Sequence, residues 1–195
     1  LFVSVLLKPE GVPANRFSWL PLLTGLAMAK TVANFLPDKK VSLKWPNDVL
    51  VGGNKISGVL SELLPDLSGV VVGAGLNVLQ TKAELPIETA TSLSIEGSAH
   101  ESLDEILAEY LKHLKNLYEA WVQAKGDAVA SGLRNGVIAH CSTLGLRVRA
   151  IMPGQQETLG EAVGIDDSGR LILQPQGSAQ VMAVAAGDIV HLRHN

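Results

Sequence analysis

Apolar side chains recur at helical spacing between Phe17 and Phe35, at Trp19, Leu22, Leu23, Leu26, Met28, Ala29, Val32 and Ala33. Pro21 falls near the start of this run, where a missing N–H is tolerated, and Pro37 ends it. The spacing predicts a long, mostly buried helix. The texture then changes to short apolar runs: Val41 to Trp45, Val49 to Val51, Lys55 to Leu64 and Val70 to Ala74. Turn formers separate them, at Pro46-Asn47-Asp48, Gly52-Gly53-Asn54 and Pro65 to Gly69. An antiparallel meander is the economical reading. The opening Leu1 to Leu7 reads as one more strand, stopped by Lys8-Pro9-Glu10-Gly11.

A second helix opens at Ser102, where Ser102-Leu103-Asp104-Glu105 fits a capping box. Its stripe runs through Leu103, Ile106, Leu107, Tyr110, Leu111, Leu114, Leu117, Tyr118 and Trp121, with Gly126 as its stop. Such a stripe is the packing face of a helix on a sheet, and His113 on it reads as a surface residue. A short helix from Asp127 to about Arg134 is expected next. Beyond Cys141 five short strands follow, at Leu146 to Ile151, Gly160 to Ile165, Leu171 to Leu173, Val181 to Val184 and Ile189 to Leu192. Strands that dense suggest a small closed barrel, because closure removes exposed edges. The expected division is residues 1–141 and residues 142–195, in an α/β (α+β) architecture.

Composition narrows the functional classes. With 195 residues, 47% hydrophobic and 18% charged, the chain can bury a sizeable core. A formal charge of -3 provides no general field for nucleic acid. No apolar run approaches the ~20 residues of a membrane span. The opening strand has neither the basic flank nor the cleavage site of a signal peptide. Cys141 is the single cysteine, which excludes an internal disulfide and fits a reducing compartment, the cytoplasm. It reads as a core thiol.

The chemistry is concentrated in Lys44-Trp45-Pro46-Asn47-Asp48 and Lys55-Ile56-Ser57-Gly58-Val59-Leu60. Charges embedded in apolar runs are costly to bury unless paired or used. Lys44 and Lys55, on nearby strands, could converge on a ligand with several negative charges, such as a phosphate and a carboxylate. Asp48 could hold a hydrated Mg²⁺, which takes one or two protein carboxylates plus phosphate oxygens. Asn47 could position a ligand or hold the turn. The same residues also fit a structural reading, a plain strand-joining turn with lysines guarding sheet edges. Gly73-Ala74-Gly75-Leu76-Asn77 ends an apolar strand but has Val78 where a dinucleotide fingerprint needs its third glycine. It leaves two positions for close backbone approach, with Asn77 placed to read a polar edge. No nucleophile elbow, Walker loop or Cys/His cluster is present, and His191 and His194 read as tail residues.

These three motifs, with Ser61-Glu62 extending the second and Val78 the third, closely resemble the biotin protein ligases. Leu1 to Pro9 is similar to the strand after that family's biotin loop, and Ala186 to Arg193 to the last strand of its C-terminal barrel. The resemblance implies a class II synthetase-like catalytic domain followed by an SH3-like barrel. It implies ATP and biotin as substrates with Mg²⁺, a biotinyl-5′-AMP intermediate, and transfer to a lysine of a biotin carboxyl carrier domain. By the same resemblance Lys55 contacts the biotin carboxylate and the α-phosphate, and Lys44 lies near the phosphates. Asn47 and Asp48 match the nucleotide and Mg²⁺ positions, and Asn77 the nucleotide portion. Gly58, Leu60 and Gly73 match the biotin pocket. Trp45 and Pro46 serve as scaffold, and Glu62 as a cross-strand partner for a lysine. A homodimer is allowed. The family's Gly/Arg-rich loop belongs upstream of Leu1, so the chain is expected to be N-terminally incomplete. The competing readings are a lipoate or octanoyl transferase of related fold and a non-catalytic fragment that binds a carrier protein.

Overall fold

The alternation of apolar and polar positions resolves into two antiparallel sheets. The computed structural model describes residues 1–99, 102–154 and 156–192. The first sheet contains β1 (Phe2–Leu7), β2 (Val41–Lys44), β3 (Asp48–Val51), β4 (Asn54–Leu63) and β5 (Val70–Leu76), in the spatial order β1-β5-β4-β3-β2. The expected meander is present, with the opening strand laid against its last member. On β5 the two-residue period is clean. Val70, Val72, Ala74 and Leu76 are buried, while Val71, Gly73 and Gly75 face the other way.

The buried face of the sheet carries α1 (Leu20–Phe35), entered through a 3-10 turn at Ala14–Trp19. Pro21 sits in its first turn, as the sequence pattern requires. α1 is buried nearly all round because the sheet lies on one side and two more helices on the other. The first of these is α2 (Leu103–Gln123), which turns Ile106, Tyr110, Leu114 and Trp121 inward. Its Ser102 side chain accepts from the Glu105 N–H at 3.3 Å, as its capping sequence predicts. The second is α3 (Leu133–His140).

The short helix expected from Asp127 to Arg134 is not formed. Asp127 Oδ1 instead accepts from the Val129 and Ala130 N–H groups, making a turn, and Gly132 is left-handed with φ 75°. The helix starts only after that glycine. His113 is not a plain surface residue either. Its ring lies 3.2 Å from the Asn34 amide and 3.1 Å from Glu109, so it ties α2 to α1.

The second sheet contains β6 (Arg147–Met152), β7 (Gln156–Ile165), β8 (Leu171–Pro175), β9 (Met182–Val184) and β10 (Asp188–His191), ordered β10-β6-β7-β8-β9. Val148, Ala150, Ala162, Leu171, Leu173 and Ile189 fill its inner face. It is sheet-rich and consistent with an SH3-like fold, but the expected closure is not made by strand pairing among the described residues, since β10 and β9 are its two edges. The two sheets share one apolar core. Indole N–H groups reach the turn between β7 and β8, from Trp45 after β2 to the Gly169 carbonyl at 2.9 Å and from Trp19 before α1 to the Asp167 carbonyl at 2.8 Å. Cys141 is buried at the seam, where desolvation pushes its thiol pKa upward. Among the described residues no helix is long and apolar enough to cross a membrane.

Candidate functional site

The sheet face turned away from the helices is built around a single row of paired residues. Phe2 of β1 pairs with Gly75 of β5, Gly75 with Gly58 of β4, Gly58 with Asp48 of β3, and Asp48 with Lys44 of β2. In the next row Ser4, Gly73 and Leu60 stand side by side. Glycines in the middle of both rows leave a trough, walled by Phe2 and Leu60, which are 90% and 77% exposed. Large apolar side chains this exposed, rimming a concavity, mark a binding surface. The trough opens into a cavity of about 630 Å³, a size suited to a small organic ligand.

Lys55 reaches this face through a fault in the strand pattern. Three positions from Gly58, it would point to the opposite, helix-covered face under strict alternation. The register of β4 against β3 shifts, Leu50 pairing with Lys55 but Val49 with Ser57, so Ile56 is an extra residue. That bulge reverses the parity and brings the Lys55 ammonium to 2.5 Å from Asp48 Oδ1. It passes over Gly58, where a Cβ would lie 3.3 Å from both Cε and Nζ of Lys55. The glycine is therefore the space the lysine occupies. The Lys55 side chain stays 41% exposed, so the ammonium is paired yet open to the cavity.

Asn47, Asp48, Lys55, Gly58, Leu60, Gly73 and Asn77 all border the cavity. Lys44 does not. It stands one strand beyond, with Nζ 3.9 Å from Asp48 Oδ2, at the seam with the second sheet. The amide of Asn47 donates to the Val59 carbonyl at 2.7 Å, and that residue's N–H donates back to the Asn47 carbonyl at 2.9 Å. The turn-holding role is thus taken by the Asn47 amide nitrogen. The Trp45-Pro46 bond is cis. Glu62 has no ion pair among the described residues, against the expectation of a lysine partner.

Sequence reasoning missed part of the wall. Phe2 and Ser4 fall on this face by the period of two in the opening strand. Pro86, Ile87 and Ala90 also border the cavity and belong to a segment with no periodicity to find. Hydrogen bonds hold that segment in place. The Lys55 N–H donates to Thr89 O at 2.7 Å, the Thr91 N–H to Lys55 O at 2.8 Å, and the Asn77 amide to Thr91 O at 2.9 Å. Lys82 closes it from outside, with Nζ 2.7 Å from Ala90 O. Likewise His191 is no loose tail residue: it ends β10 and lies half-buried, with Nε2 3.1 Å from the Thr143 hydroxyl. His194 lies outside the described residues.

Residues 1–77 match the model of the Biotin/lipoate A/B protein ligase family, and residues 143–192 that of the biotin protein ligase C terminal domain. The biotin--[acetyl-CoA-carboxylase] ligase of Mycobacterium tuberculosis is 38% identical over 195 residues, covering 99% of this chain and 70% of its own. The ligase of the same name from Paracoccus denitrificans is 31% identical, covering 93% and 77%. Among solved structures, the apo biotin protein ligase from Aquifex aeolicus superposes with TM-score 0.81 at 25% identity, over 98% of this chain and 82% of that one. The same ligase in complex with biotin and ATP gives TM-score 0.77 at 26% identity, over 100% and 78%. At that identity and coverage, this chain belongs to the biotin protein ligase family.

Proposed function

We propose that the chain carries the catalytic core of an ATP-dependent biotin protein ligase, with residues 1–141 as the catalytic unit and 142–195 as the SH3-like barrel. A biotin carboxylate oxygen bonds to the α-phosphorus of ATP as the bond to pyrophosphate breaks, leaving biotinyl-5′-AMP. The ε-amine of an acceptor lysine on a biotin carboxyl carrier domain then attacks the acyl carbon. AMP departs and the amine loses its proton.

The first step drives a carboxylate against a triphosphate, so a fixed cation between them is the main electrostatic requirement. The observation that carries the reading is the Lys55 ammonium, delivered by the bulge across Gly58 to a cavity with an apolar trough on its other side. Lys55 takes the biotin carboxylate and the α-phosphate. Gly58, Leu60 and Gly73 line the biotin portion, and Asn47, Asp48 and Asn77 the nucleotide. Lys44 supplies a second cation at the phosphate end. Asp48 offers a single carboxylate, already paired with Lys55 and facing Lys44, and the described residues hold no group of three metal-binding side chains. That donor set does not suit a resident metal, and we assign Mg²⁺ to the triphosphate it arrives with. The lone thiol fits action in the cytoplasm.

Lys55→Ala is expected to remove most biotin-dependent exchange of pyrophosphate into ATP, about 3–4 kcal/mol of barrier, the scale for losing one fixed stabiliser. Full exchange by that variant would overturn the role of Lys55. Offering biotin, lipoate and octanoate in turn to carrier domains tests the substrate. Labelling by lipoate alone would replace this reading with a lipoate transferase.

A further inference from the structure

Lys44, unlike Lys55, does not border the cavity, yet the chain on both sides of it is clamped from the second sheet's side of the seam. On one side, the Ser142 N–H and hydroxyl both donate to the Leu43 carbonyl, at 2.8 and 2.9 Å. On the other, the Trp45 N–H donates to Thr143 Oγ1 at 3.0 Å. Thr143 is fully buried, and its hydroxyl lies 3.1 Å from His191 Nε2 at the end of β10. A hydroxyl has one proton to donate. With Trp45 donating to its oxygen, the Thr143 hydroxyl is held between the His191 ring and the Cys141 thiol, and the His191 contact helps fix the rotamer on which the Trp45 contact depends. Burial, and then the charge of Lys44, both disfavour the imidazolium. The Lys44 ammonium itself is directed at Asp48, with Nζ 3.9 Å from Oδ2.

We infer that His191, acting through Thr143, is a positioning residue that aims Lys44 at Asp48 and the phosphate end of the site, so that the second sheet completes the nucleotide half of the first. This rests on the ligase reading for its catalytic consequence but not for its geometry. In this arrangement the C-terminal sheet contributes no group to the cavity. It sets the direction of one that the catalytic sheet carries.

The test uses the full-length protein. His191→Ala should raise the KM for ATP several-fold in pyrophosphate exchange, with the KM for biotin near wild type. His191→Gln, whose amide reaches the position of Nε2, should recover most of the loss. In a Lys44→Ala background, His191→Ala should add nothing further. A loss shared equally between ATP and biotin with a lowered midpoint would overturn the proposal, as would additive losses in the double variant. Should His191→Ala not fold, His191→Asn, too short to reach Thr143, serves the same comparison. A second readout is independent of activity: the rate at which a dilute amine-reactive ester acetylates Lys44, read by peptide mass spectrometry. Faster labelling in His191→Ala or His191→Asn, with His191→Gln close to wild type, supports positioning, and an unchanged rate in the first two refutes it. A wild-type protein with no exchange activity would refute the ligase reading, while the labelling comparison still decides this one.

Discussion

At the scale of single residues, the site depends on one missing side chain as much as on any present. A methyl group at Gly58 would meet the far end of Lys55 at 3.3 Å and Asp48 Oδ1 at 3.6 Å. Both are side-chain atoms that can swing away, so the fold should absorb Gly58→Ala within about 0.5 kcal/mol of stability. Catalysis should not. Displacing a reacting group by about 1 Å costs on the order of 10²-fold in rate. Exchange kinetics alongside thermal melting will check the contrast, and equal damage to both would mean Gly58 serves packing. Lys55 and Gly58 were visible in the sequence as a lysine and a glycine in an apolar run. What was invisible is that they share a face, because a count of two along the strand puts them on opposite sides.

At the scale of elements, legibility followed periodicity. α1, α2 and all the strands were readable because each has a continuous apolar stripe or alternation, and their ends fell near prolines, glycines or Ser102. The cap makes a specific forecast: Ser102→Ala should cost roughly 1 kcal/mol of stability, the usual price of an N-cap, and leave exchange activity unchanged. Chemical denaturation of the two proteins measures it. Where periodicity lapsed, reading failed. Between Asp127 and Gly132 local side-chain hydrogen bonding outcompetes the helix, a choice that composition does not reveal. The wall around Pro86, Ile87 and Ala90 is shaped by backbone bonds to Lys55 and by the Asn77 amide, partners distant in sequence. The Ile56 bulge belongs to the same class, since it exists only in the pairing of two strands.

At the scale of the whole molecule, the two sheets are joined by a continuous core and by buried polar contacts at Trp19, Trp45 and Thr143. His191 is part of that seam, and its folded pKa lies below the ordinary 6.5 because of burial, then Lys44. The unfolded chain therefore takes up the proton first as the pH falls. The stability this neutral histidine contributes is complete above about pH 6.5 and is lost as the pH drops through the folded value. His113, also lowered by burial, acts in the same direction. Denaturation midpoints should decline on acidification from pH 7.5 to 5, and His191→Gln should flatten part of that slope. An unchanged slope would mean that the ring protonates without cost. The joining of the sheets was not legible in the sequence, whose pattern suggests a boundary near residue 142 but nothing of what crosses it.

The row Phe2, Gly75, Gly58, Asp48 and Lys44 takes one residue from each of five strands. No single hairpin of that sheet holds the site, so every opening that peels one strand away also destroys it. Ligand binding is then linked to each of those openings at once. Saturating the protein with biotin and ATP should slow amide hydrogen exchange in all five strands by a common factor, including β1 at one edge and β2 at the other. Protection confined to the residues around Lys55 would mean that the site survives while its sheet frays.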